Sequence, residues 1–222
     1  MGAVVGFHVF VLAVLAIDLG VFHRRSRETG FKEALAWTIV WVVLAAGFAA
    51  GVWVFLGQER AINFITGYII EESLSVDNIF VFVLIFSYFS VPRPLQRRVL
   101  FWGILGAIVM RGMMIVAGAA LLQRFEWFGY IFGGFLLLTG IRLVFQKEQN
   151  IDPQKNPVMR LAAKHLPVTR EYEGDAFFVR QGRRIAFTPL FLVLIAVETT
   201  DVVFAVDSIP AVFAVTTDTF IV

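Results

Sequence analysis

Two stretches of this sequence set acids within runs apolar enough for lipid. The first, YIIEESLSVDNIFVFVLIF, covers residues 68–86 and holds Glu71, Glu72 and Asp77. The second, LIAVETTDVVFAVDSIPAVFAV, covers 194–215 and holds Glu198, Asp201 and Asp207. Aligned on Asp77 and Asp207, they share one pattern: an acid, five residues ending in valine, an aspartate, a small polar residue and an isoleucine. Glu71 then corresponds to Asp201, Asn78 to Ser208 and Ile79 to Ile209. Carboxylates with amide and hydroxyl neighbours are hard oxygen donors. Such a set suits Mg, Ca and Mn, whereas Cu(I) and Zn prefer sites with thiolate or imidazole. The candidate ligands are Glu71, Asp77, Asn78, Glu198, Asp201 and Asp207, with Ser73, Ser75, Thr199, Thr200 and Ser208 close by. Clustered negative charge would repel an oxyanion.

A charged side chain at the centre of a bilayer costs about 2.5–3.5 kcal/mol even on permissive insertion scales, so buried acids there are usually functional. Only Arg111 and Arg142 are bases within the apolar runs. They cannot neutralise Asp18, Glu71, Glu72, Asp77, Glu198, Asp201 and Asp207 together, which calls for protons, a bound cation or both. The five candidate carboxylates exceed one divalent charge by three, so binding of metal and of protons would be coupled. Glu72 lies off the shared pattern, and Asp18 sits near the end of its run. Arg111 reads as a partner or gate rather than a ligand.

These residues need elements to carry them. The chain has 222 residues, 59% of them hydrophobic and 16% charged, with mean hydropathy +0.79. That excess falls in six apolar segments, at 2–22, 35–56, 64–91, 99–122, 127–145 and 189–215, each long enough to span a membrane as a helix. The expected fold is all-α: a polytopic bundle of about six transmembrane helices. Lys and Arg number 15 in the first, third and fifth connections against 2 in the second and fourth. The bias puts the odd connections in the cytoplasm and the N-terminus outside. Residues 1–145 would hold five spans and 146–187 a basic cytoplasmic loop. Residues 188–222 would hold the sixth span and the start of a missing C-terminal part. Within the loop, NPVMRLAAKHL suggests a short amphipathic helix on the membrane surface, and AFFVRQGRRIAF a hairpin turning at Gln181-Gly182.

The acidic segments are the third and sixth of six, so they would run in opposite directions, as in a 3+3 inverted repeat with its site at the repeat interface. Residues seven apart share a helix face, which pairs Glu71 with Asn78 and Asp201 with Ser208. Pro210 would free a backbone carbonyl one turn earlier and break the sixth helix. The absence of cysteine excludes a disulfide framework, a thiolate metal site and thiol redox chemistry from these residues. No glycine loop for phosphate appears, nor the Gly-x-Gly-Asp signature of intramembrane aspartyl proteases. The expectation is no enzyme, no cofactor and no nucleic-acid partner.

The runs ESLSVDNIFVF, TPLFLVLIAVETTDVVFAVDSIPAVFAVT and LAIDLGVFHR resemble the TerC family of bacterial membrane proteins. That family is named for tellurite resistance and is grouped with LysE-type exporters. The resemblance implies a secondary exporter of a divalent cation, most plausibly Mn²⁺, in the bacterial inner membrane; proton antiport is the coupling that the excess of carboxylates suggests. It maps the metal-handling acids onto Glu71, Asp77, Glu198, Asp201 and Asp207. Family members continue with further spans past AVTTDTFIV, so the chain is expected to be a fragment. The alternative is a TerC-type membrane scaffold or assembly factor without transport.

Overall fold

The computed structural model describes residues 6, 30–145, 157–181, 184–218 and 220–222. The expected first span, with Asp18, lies outside them apart from Gly6. In chain order the elements are α1 (Phe31–Leu56), α2 (Gln58–Tyr88), α3 (Arg93–Arg124), α4 (Glu126–Phe145), α5 (Pro157–His165), β1 (Phe178–Gln181), β2 (Arg184–Phe187) and α6 (Pro189–Phe213). The chain is mostly helical, and three of the described helices, α1, α3 and α6, are long and apolar enough to cross a membrane. α2 has 31 residues, but its apolar run is interrupted by Glu71, Glu72 and Asp77. α4 carries a shorter apolar stretch, Phe128–Ile141.

The chain forms two compact units. In the first, which ends at Thr66, Gly57 alone separates α1 from α2. Its φ of +98° lies where a side chain is strained, so glycine can stop one helix and let the next begin at once. The rings of Phe48 and Phe64 meet edge to face at 4.9 Å, joining α1 to the first turns of α2. Phe31, Val54 and Phe55 point outward almost fully exposed. Such a surface is stable only against lipid or another apolar body.

The second unit is organised around α6. Leu190, Val193, Val197, Asp201, Ala205, Ser208 and Val212 are all buried, at steps of three and four that trace one face of the helix. The first half of that face packs with Val81, Ile85 and Phe86 of α2, Val99 of α3, Met159 of α5 and Phe177. The second half packs on α3 and α4, through Ala119, Met114, Ile115 and Phe132. Missing side chains on α3 make this approach possible. A Cβ on Gly103 would stand 3.0 Å from Val197, and one on Gly118 would stand 2.9 Å from the Phe213 ring. Residue numbers rise together along both helices, so α3 and α6 run parallel. α2 runs the other way: its C-terminal end meets the start of α6, while Gly67 faces Val212.

The segment before α6 is the loop expected at 146–187, of which 146–156 and 182–183 lie outside the described residues. α5 falls where the amphipathic pattern placed a helix. β1 and β2 pair antiparallel with Gln181 opposite Arg184. Gln181 is therefore a strand residue at the end of the hairpin, and the rest of the turn expected at Gln181-Gly182 lies outside the described residues. Thr188 is fully buried and its hydroxyl donates to the Ala176 carbonyl at 2.7 Å, fixing the start of α6. The Tyr172 hydroxyl donates to the Phe89 carbonyl at 2.8 Å, and Arg98 pairs with Asp175 while lying over the Phe177 ring.

One expectation fails here. α6 continues unbroken through Pro210 to Phe213. The proline removes one amide donor, but the buried Ile209, Val212 and Phe213 around it hold the helix, and the Ala214 amide donates to the Pro210 carbonyl at 3.0 Å.

Candidate functional site

Arg111 projects from the middle of α3 and meets acids from two other helices. Its Nε and Nη2 donate to the two carboxylate oxygens of Asp201 at 3.2 and 3.0 Å, a two-pronged clasp. Its Nη1 donates to Glu71 Oε1. Glu71 is carried by α2 and Asp201 by α6, so the acids that correspond in the shared sequence pattern converge on one guanidinium. Asp201 sits on the buried stripe of α6, where an unpaired carboxylate would be very costly, and the planar guanidinium suits a two-oxygen partner better than an ammonium would.

The positions seven residues on behave alike. Asn78 and Ser208 are both more than nine-tenths buried. Asn78 Oδ1 and Ser208 Oγ find no hydrogen-bond partner among the described residues. Buried polar atoms are almost always satisfied, so two orphaned oxygens at matching positions are not ordinary packing.

Glu198 lies one turn before Asp201, against the bare backbone of Gly106 on α3. A Cβ there would reach within 2.6 Å of Glu198 Oε2. That oxygen is buried and also without a partner. Asp207 is half-buried, its Oδ1 3.5 Å from the hydroxyl of Thr139 on α4. Glu72 is exposed, one residue round α2 from Glu71. Asp77 lies in α2, but its side chain is outside what the structure describes, as is that of Arg142. Among the described residues no three of the His, Asp and Glu side chains converge as a ready metal cage. Glu71 and Asp201 close on Arg111 instead.

Residues 56–222 match the model of the Integral membrane protein TerC family. This chain belongs to the TerC family. It is therefore an integral membrane protein, and Glu71, Arg111, Glu198, Asp201 and Asp207 all lie within the matched region of this TerC chain. The chain is 55% identical over 218 residues to a membrane protein of Myxococcus xanthus, covering 98% of this chain and 68% of that one. It is 49% identical over 226 residues to Alx of Escherichia coli (strain K12), covering 98% and 70%, and equally so to Alx of Salmonella typhi. The name of Alx provisionally describes a membrane-bound redox modulator. No solved structure matches the TerC chain.

Two contributors to the site had weak signals in the sequence. Arg111 stood out as a base within an apolar run, but nothing in its spacing says that it would hold two acids at once. Gly106 belongs to a series with Gly103, Gly112 and Gly118 in α3. Such small residues mark close helix contact in membranes, though not which side chain fills the space.

Proposed function

We propose that this chain is the core of a secondary transporter that exports a divalent metal cation across the bacterial inner membrane, with Mn²⁺ as first candidate and protons as the coupling ion. The observation that carries the reading is the convergence of Glu71 and Asp201, from antiparallel helices, on Arg111, with buried, unmatched oxygens on Asn78, Glu198 and Ser208 of the same two helices. These are all hard oxygen atoms, the chemistry an Mn²⁺ ion accepts in place of water. Asp77 and Asp207 complete the proposed set, arranged as an inverted repeat. The chain itself performs no covalent chemistry in this reading. A redox role such as the name of Alx gives that relative would pass through metal here, since these residues include no cysteine.

The test is export from manganese-loaded cells that lack their own exporters. Wild-type protein lowers intracellular Mn, and Asp201→Asn and Asp207→Asn at equal membrane abundance do not. Wild type that exports nothing, in this form and with the remaining length of its relatives added, defeats the proposal. The Arg111 clasp favours one other reading, a scaffold in which the acids only bind helices together. That reading has both variants failing to accumulate rather than failing to export.

A further inference from the structure

Arg111 neutralises too little to be only a structural counter-charge. It brings one positive charge to Glu71 and Asp201, with Glu198 one turn from Asp201. One guanidinium cannot neutralise these three acids, so the described centre keeps an excess of negative charge that a cation or protons must offset. The guanidinium also leaves the local polar network incomplete. Asn78 Oδ1, Glu198 Oε2 and Ser208 Oγ, on the two helices that carry its acids, remain buried and unmatched. A purely structural network inside a protein is normally satisfied throughout, because a partly satisfied one is worse than an apolar core. The exposures differ too: the Asp201 side chain is 8% exposed, against 22% for Arg111 and 36% for Glu71. The base and one acid thus stay open on one side while the other acid is closed in.

We propose that Arg111 is a tethered competitor for the transported cation: it clasps Asp201 and Glu71 in the cation-free protein and yields their oxygens when a divalent ion arrives. This rests on the transport reading above and adds a regulator to that site. Both Asp201 oxygens accept from the guanidinium, so an arriving ion must share them with a fixed positive charge, and the repulsion between the two cations favours release of the arm. Once the ion leaves, the arm on α3 closes over the acids again and opposes rebinding. Arg111 is therefore a positioning residue that sets how tightly the cation is held and how readily it is let go. It does not serve as a ligand.

The experiment measures Mn²⁺ binding by calorimetry to the purified full chain in lipid nanodiscs, together with the rise in melting temperature that Mn²⁺ produces. Arg111→Gln removes the competitor. It is expected to bind Mn²⁺ roughly tenfold tighter or more, the loss of a charge-assisted pair converted to affinity. Its melting temperature should rise more with Mn²⁺ than that of wild type, and its export should slow because the ion is held. Arg111→Lys keeps the charge but cannot clasp two oxygens, and is expected to fall between the two. Binding by either folded variant at or below wild-type affinity overturns the competitor while leaving the transport reading intact. If Arg111→Gln does not fold, Arg111→Lys alone decides. No Mn²⁺ binding by wild type, with none gained in the variants, defeats the transport reading and this inference with it.

Discussion

Gly106→Ala separates the packing role of α3 from its role at the site. The new methyl would occupy the seat of the Glu198 carboxylate, coming within 2.5 Å of its Cδ and 2.6 Å of Oε2. These atoms are the far end of a flexible side chain, so Glu198 can swing away for about 0.5–1.5 kcal/mol of rotamer strain. Alanine in place of glycine returns about 0.8–1.0 kcal/mol of helix propensity. The two terms nearly cancel, and stability should stay within about 1 kcal/mol of wild type. The effect on the ion should be much larger. Losing the support of one ligand typically lowers metal affinity by about 10–100-fold. Thermal unfolding in detergent would show an unchanged midpoint, and the export assay would need correspondingly more Mn²⁺ to reach the same rate. Wild-type export by Gly106→Ala would refute the place given to Glu198. A collapse in abundance would refute the claim that its carboxylate can yield.

Two further substitutions test neighbouring contacts. Gly118→Ala sets a methyl 2.9 Å from the buried ring of Phe213, which cannot swing away as a carboxylate can, so this change should destabilise by about 1–3 kcal/mol in the same unfolding assay. Tyr172→Phe removes the hydrogen bond to Phe89 and should lower stability by about 1 kcal/mol without altering Mn²⁺ affinity. Burial raises the Tyr172 phenol above its ordinary 10.0. Its share of stability is then complete below that value and declines as pH rises from it toward the raised folded value, a loss that Tyr172→Phe should abolish in unfolding curves measured across alkaline pH.

Legibility in the sequence followed the strength of the physical constraint. The apolar runs announced the long helices, because a spanning segment has few ways to satisfy its backbone. The matched acids singled out Glu71 and Asp201 before any coordinates, since charge in such runs is expensive enough to stand out. The same pattern paired Asn78 with Ser208, and both proved buried and unmatched. The sequence could not give the clasp itself, which depends on α3 bringing a residue 90 positions from Asp201 to its side. Pro210 misled because one lost amide bond does not by itself end a helix whose neighbouring side chains, Ile209, Val212 and Phe213, are buried. The hairpin itself was legible, but Gln181, expected in its turn, is paired with Arg184 as a strand residue. Turn chemistry marks a neighbourhood more firmly than a register.

The packing of α2 against α6 is lopsided along its length. At one end the Tyr172 hydroxyl bonds the Phe89 carbonyl in the turn leaving α2, and the core around Phe177 joins the end of α2 to the start of α6, with Arg98 of α3 over that ring. At the other end the cluster around Ile209 and Phe213 draws on α3 and α4, with no residue from α2. Side chains with no chemistry of their own thereby fix the end of α2 against the start of α6, and with it the two helices that carry Glu71 and Asp201.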